Sequence, residues 1–181
     1  PSLATGPTSA VTGVTPVIDP GDGGSYRPEL VPADFVDVID NPHLPFPDGA
    51  TWRYEGLSDG EREIIEVVVT GERTEIMGIS ATVVRDTVTI GGNLVEDTYD
   101  WYAQDTEGNV WYLGEEVDNY DDEGELVDHD GSFEHGVDGA VGGIVMLADP
   151  QVGDAYRQEY YPGEAEDLGE VVRTGETVSV P

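Results

Sequence analysis

From Thr51 onward the hydrophobic period is two, and nothing else in the chain constrains the fold as strongly. EREIIEVVVT places Ile65, Val67 and Val69 on one face. SATVVRDTVTI places Val84, Val88 and Ile90 together, with Asp86 among them, and LVEDTYDWYA groups Val95, Tyr99, Trp101 and Ala103. Successive side chains of a strand point to opposite faces, so this alternation marks half-buried strands. NVWYLGE, GIVML, DAYRQEYY and EVVRTGETVSV continue it. Turn signals separate the runs: Ser58-Asp59-Gly60, Thr70-Gly71, Gly91-Gly92-Asn93, Thr106-Glu107-Gly108, Asp130-Gly131 and Thr174-Gly175. Short runs joined by glycine turns predict an antiparallel meander. A sheet this long must twist, curl or close to hide its edges. The expected fold is therefore all-β, a strongly curved sheet or barrel-like domain of about nine to eleven strands.

The first third of the chain reads differently. Residues 1–33 are expected to be an extended Thr/Ser/Pro/Gly-rich leader, and 34–181 the acidic β-domain. Residues 1–18 carry no charge. They suit a flexible tether, an O-glycosylated stalk, or an extended segment that pairs with another subunit's sheet edge. In VPADFVDVID, Pro32 suits a first helical position, and Phe35, Val36 and Ile39 fall at helical spacing, which predicts a helical turn or two. The prolines of NPHLPFPDG forbid regular structure. The chain begins at Pro1, which reads as a cleaved precursor.

Charge sets the environment. Thirty-nine acidic residues face seven basic ones, all arginine, for a net charge of -32. Self-repulsion of that size calls for salt, divalent cations or a well-spread carboxylate surface. With no basic stripe the chain is not expected to bind nucleic acid, and an anionic membrane surface would repel it. No apolar stretch is long enough to span a membrane, so no membrane insertion is expected. The chain has no cysteine, which removes disulfides, thiolate metal sites and cysteine nucleophiles.

The densest acidic stretch, Glu115 to Asp138, holds eleven carboxylates and no lysine or arginine. In NYDDEGELVDHD, Asn119, Asp121, Glu123, Gly124 and Glu125 occupy the first, third, fifth, sixth and seventh places of a calcium loop, with Asp130 in the twelfth. Asn opens that loop where Asp is expected, Asp closes it where Glu is expected, and helices do not flank it. A looser Ca2+ site would draw on Asn119, Asp121, Glu123, Glu125, Asp128 and Asp130, because hard cations accept irregular oxygen cages. The alternative is a hairpin turn at Asp122-Glu123-Gly124. His129 and His135 invite a transition-metal reading, but a turn at Asp130-Gly131 sends the two imidazoles to opposite sides of the sheet. His43 reads as a packed loop residue. Asp86 is a carboxylate on an otherwise apolar face. Arg85 points away from it, so its partner is expected to be another arginine such as Arg157. The alternative is a strand residue at the solvent boundary. G-x-S-x-G, H-E-x-x-H and Gly-rich phosphate loops are all missing, and no catalytic residue is assigned. Trp52 with Tyr54, Tyr99 with Trp101, Trp111, and Tyr156 with Tyr160 form aromatic stripes expected to be core. A stripe facing a cavity would be a platform for a sugar or another apolar ligand.

Three segments, DFVDVIDNPHLPFPDGATWRYEG (34–56), EDTYDWYAQDTEGNVWYLGEE (96–116) and ADPQVGDAYRQEYYPGEAED (148–167), resemble a family of uncharacterised extracytoplasmic bacterial β-proteins, often lipoprotein-like. The resemblance covers roughly 34–180, and DWYAQD…GNVWYLGE is its most specific part. It implies export and an all-β domain, and lends no catalytic residue. It also implies further strands beyond VSVP, so that the chain is shortened at Pro181 or takes a final strand from elsewhere.

The expected function is a non-catalytic, extracytoplasmic or cell-surface β-domain that binds calcium. One alternative is a subunit of an extracellular filament, self-assembled through residues 1–18. Another is a glycan-active enzyme with a carboxylate pair, which needs an aromatic-lined cleft holding two carboxylates.

Overall fold

The computed structural model describes residues 26–179. Expectations for residues 1–18 lie outside them. The described chain is all-β. Its main antiparallel sheet curls through 217° as a half-barrel.

The strands are β1 (Phe35–Val36), β2 (Thr51–Ser58), β3 (Glu61–Ile76), β4 (Ile79–Ile90), β5 (Asn93–Asp105), β6 (Val110–Tyr120), β7 (Leu126–Asp128), β8 (Phe133–Glu134), β9 (Val141–Met146), β10 (Ala155–Arg157), β11 (Glu159–Tyr160) and β12 (Leu168–Glu170). The main sheet runs β11-β9-β6-β5-β4-β3-β2. From β2 to β6 each strand pairs with the next in sequence, as short turns dictate. Asp59-Gly60 closes the first hairpin with φ of 50° and 89°, the doubly left-handed turn that matches strand twist. On its far side β6 pairs in succession with β9, β8 and β7. Strands β10 and β12 form a separate two-stranded sheet.

Period two sorts the side chains as expected. One face carries Trp52, Tyr54, Val67, Val69, Val84, Asp86, Thr98, Asp100, Tyr102 and Glu115, and is called the carboxylate face below. It buries Ile39, Phe46, Val69, Val84 and Val110, and beside them Tyr112, Phe133, Ala140 and Ala165. The opposite face buries Ile79, Ala81, Ala103, Trp111, Leu113, Ile144 and Tyr156. Leu30, Phe35, Trp101 and Val171 pack against that second cluster. The sheet thus has a core on each side, as strands buried on both faces require.

Several details differ from the sequence reading. Among the described residues twelve strands replace nine to eleven, because the chain breaks into two- and three-residue pieces along β6 and near the C-terminus. Thr70-Gly71 is no turn. β3 runs through it with a bulge between Val69 and Arg73, where Gly71 takes φ 81° and Thr70 Oγ1 donates to Val83 O. The turn falls at Met77-Gly78, with φ 49° and 85°. VPADFVDVID forms only a 3-10 turn at Pro32–Asp34 and then extends into β1. Beyond β12, residues 171–179 form no strand, so the expected EVVRTGETVSV strand is limited to its start. Tyr156 and Tyr160 do not share a face. Gln158 lies between two different sheets, and Tyr156 packs with Trp111 while Tyr160 meets Tyr26.

Candidate functional site

The carboxylate face carries a cleft of about 400 Å³. Its floor is Val67, Val84, Asp86, Asp100 and Tyr102, and its walls are Trp52 and Tyr54 of β2 and the segment His43–Phe46. Alternation, with the bulge that skips Val95 in the β4–β5 ladder, brings Asp86 and Asp100 to this floor. Asp86 pairs with Val67 and Thr98, while Asp100 pairs with Val84 and Glu115. The two aspartates are therefore diagonal neighbours on adjacent strands.

The proline-rich wall is seated by a polar lock. Gln104 Oε1 accepts from the backbone N–H groups of Asp40 and Asn41 at 2.9 and 2.8 Å, and Gln104 Nε2 donates to Asp40 Oδ1. Asn41 is 2% exposed; its Nδ2 donates to Gly108 O and Leu147 O. Its Oδ1 accepts from His43 N and Leu44 N, which turns the chain without a helix or strand. Phe46 then lies edge-on to Trp52, ring centres 6.0 Å apart, and 4.9 Å from Tyr102. A second lock sits at the β5–β6 turn. Asp105 accepts from Glu107 N and Asn109 N through Oδ1, and from Asn109 Nδ2 and the Trp111 indole through Oδ2. The motif residues Gln104, Asp105, Gly108, Asn109 and Trp111 thus hold the wall and a turn.

The electrostatics of the floor are unusual. Asp86 Oδ1 is buried and has no hydrogen-bond partner. Burial, and then the charge of Glu96, push its carboxyl up to about 6. The expected arginine is not there: Arg157 lies over the Tyr160 ring at 4.3 Å, and the charges that act on Asp86 are carboxylates. Asp86 is half-buried at the boundary between the sheet face and an open cleft, as the solvent-boundary alternative has it, with its Oδ1 turned away from water. Asp100 is 7% exposed and accepts from the Tyr112 hydroxyl at 2.5 Å. Burial raises it to about 7 against that hydrogen bond. Beyond it, burial and the charge of Asp100 lift Glu115 to about 8, and burial with the charge of Asp167 lifts Glu159 to about 7. Tyr102 and Tyr112 stack at 4.7 Å, and burial raises both hydroxyls well above the ordinary value. Like charges crowded away from water share protons instead of ionising together.

The six residues of the calcium reading separate into two groups. Asp121 Oδ1 accepts from the backbone amides of Glu123 and Glu125, and Gly124 N bonds to Asp121 O. That is the hairpin turn at Asp122-Glu123-Gly124. Across the strand ladder Asn119 Nδ2 donates to Asp128 Oδ1 and Asp130 O. Among the described residues no group of three or more His, Asp or Glu side chains is arranged to hold a metal. The turn at Asp130-Gly131 forms, with Ser132 N bonded to His129 O, but it joins two strands that both pair with β6. His129 Nδ1 lies 2.9 Å from both Val117 O and Asp118 Oδ1, and the first contact raises its pKa. His135 Nδ1 accepts from Gly142 N, and burial lowers its pKa. No helix among the described residues is long and apolar enough to cross a membrane.

Of the aromatic stripes, Trp52 and Tyr54 face the cleft, whereas Trp101 and Trp111 are core of the opposite face. Sequence reasoning missed Phe46, Tyr102 and His43 as cleft residues. The sequence held no plain signal for the pair: the Gly91-Gly92 turn sets Ile90 against Asn93, even against odd, and only the bulge that skips Val95 brings Asp86 and Asp100 to one face. No protein-family model matches the chain, and no curated protein or solved structure does.

Proposed function

We propose that this chain is a non-catalytic, extracytoplasmic binding domain whose cleft holds a small organic cation. The observation that carries this reading is the unpartnered Asp86 Oδ1, buried in a cleft whose walls are aromatic. A buried acceptor without a donor is costly. A cationic nitrogen supplies the donor and offsets the crowded carboxylates, while Trp52, Phe46 and Tyr54 offer ring faces to the carbon atoms around it. The volume suits a small molecule. The resemblance of residues 34–56 and 96–116 supports the extracytoplasmic setting.

Titration calorimetry with ethanolamine and spermidine, whose ammonium groups carry N–H donors, tests it. Affinity should rise between about pH 5 and 8, with protons released on binding, as the floor carboxylates give up their protons. Asp86→Asn and Trp52→Ala should each weaken binding by tenfold or more, at about 1.4 kcal/mol per decade. No heat with either cation would overturn the proposal.

A second reading keeps the glycan-active alternative. Asp86 and Asp100 share an aromatic-lined cleft as diagonal neighbours on adjacent strands, the paired carboxylates such chemistry needs. Release of reducing ends from oligosaccharides, lost in both Asp86→Asn and Asp100→Asn, would favour this reading over simple binding.

A further inference from the structure

Strand β2 is a free edge of the main sheet: it pairs with β3 and with no other described strand. The Asp59-Gly60 hairpin makes Ser58 and Glu61 a hydrogen-bonded pair, so Trp52, Tyr54 and Gly56 turn their backbone groups toward β3. Thr51, Arg53, Glu55 and Leu57 therefore turn theirs outward. All four are exposed, Leu57 to 75%. A long bare edge is a template for another strand.

We propose that the occupant is a second copy of β2, joined antiparallel about a two-fold axis through Tyr54. The charge pattern selects this register. It sets Arg53 of each copy against Glu55 of the other, and Thr51 against Leu57. Sliding either way by two residues sets Arg53 against Arg53 or Glu55 against Glu55. Slipping by one residue misaligns the outward groups. In the selected register every outward N–H and C=O meets a partner, about eight hydrogen bonds in all. On the carboxylate face, Trp52 falls across from Gly56, where a ring covers the bare backbone, and Tyr54 meets its own copy. The edge is also locally favourable in an acidic protein. Arg53 and Arg62 both hold Glu55, at 3.3 and 2.6 Å, so the strand itself is close to neutral. A two-fold pairing of one patch with itself closes at the dimer. Because Trp52 and Tyr54 also wall the cleft, each copy stands at the rim of the other's cleft.

Analytical ultracentrifugation of the full chain in about 0.5 M salt, where screening shortens to a few ångströms, tests this. The parent should be a dimer. Arg53→Glu and Glu55→Arg should each weaken the dimer by about tenfold or more, since each turns two attractive cross-strand pairs repulsive. Circular dichroism checks that both variants remain folded. Mixing the two variants should restore a dimer, because the heterodimer again opposes Glu with Arg at both positions. A parent that is monomeric at about 100 μM, well above the micromolar range of stable complexes, would overturn the proposal. So would single variants that dimerise as the parent does, or a mixture that stays monomeric. A dimer that appears only after deletion of residues 1–18 would assign the edge to the leader and overturn it too.

Discussion

Asp100 and Glu115 stand directly opposite each other on β5 and β6, both on the carboxylate face and both held above the ordinary carboxylate range. Asp86 and Glu159 are shifted the same way. Free aspartate and glutamate titrate near 3.8 and 4.5, whereas these four reach about 6 to 8 in the fold. Between those limits the folded chain binds more protons than the unfolded one, so stability falls as pH rises. The contribution is fully present below the unfolded values and is lost as pH passes through 6 to 8. Melting temperature measured across about pH 5 to 8.5 should therefore decline. Global self-repulsion acts in the same direction, and the double variant Asp100→Asn with Glu115→Gln separates the two. It should flatten the decline.

Asp86 is the clearest case of stability yielding to a site. Replacing it with Asn removes a carboxylate that lacks a partner and sits near Glu96. Asp86 is only half-buried, and solvent screening reduces the effect, so a gain of about 1 kcal/mol at pH 8 is expected. Urea unfolding of both proteins measures it, and the same variant should lose the ligand.

The wall of the cleft depends on Asn41, which bonds to Gly108 O and Leu147 O and caps the His43–Leu44 turn. Asn41→Ala leaves several buried groups unsatisfied and should cost about 3 kcal/mol. Gln104→Ala should cost less, because its side chain makes three such hydrogen bonds against the four of Asn41, yet it should free the same wall. Chemical denaturation gives the first quantity, and quenching of Trp52 fluorescence by acrylamide reports the second.

Gly114 sits at the bulge of the β5–β6 ladder with φ 149°. A Cβ there would come within 2.4 Å of Phe133 O and 2.9 Å of the Trp101 ring. Gly114→Ala should therefore destabilise by about 3 kcal/mol, part backbone strain and part overpacking. A shift in the urea midpoint with an unchanged slope would be the expected record.

With a net charge of -32, melting temperature should rise between about 0.1 and 1 M sodium chloride, as screening shortens from about 10 to 3 Å. Asp121 is engaged by the turn amides and Asn119 by Asp128. Millimolar calcium at matched ionic strength should then add little. A calcium-specific rise would support the cation site expected of Asn119–Asp130.

Period two made the faces of β3, β4 and β5 readable, and with them the placing of Asp86 among valines. It could not show what covers that face. His43–Phe46 has no period, and its position follows from a side chain more than sixty residues away, Gln104. Glycine is ambiguous on its own: Gly71 bulges a strand where a turn was expected, while the turn closes at Met77-Gly78, with a non-glycine residue left-handed. The strands along the far side of β6 are two to six residues long. Pieces that short are set by their partner and not by their own pattern.

The lock between Gln104 and Asn41 also orders events in time. β2 through β6 pair with sequence neighbours, and local pairing forms early. The His43–Phe46 wall precedes all of these strands in the chain but can seat only after β5 and β6 have met, because Gln104, Gly108 and Leu147 must already be in place to receive Asn41. A chain threading through a membrane pore or a ribosome tunnel emits the wall first and finishes it last. The cleft exists only in molecules that have completed the sheet, so a bound ligand would report a finished fold and not merely a collapsed one.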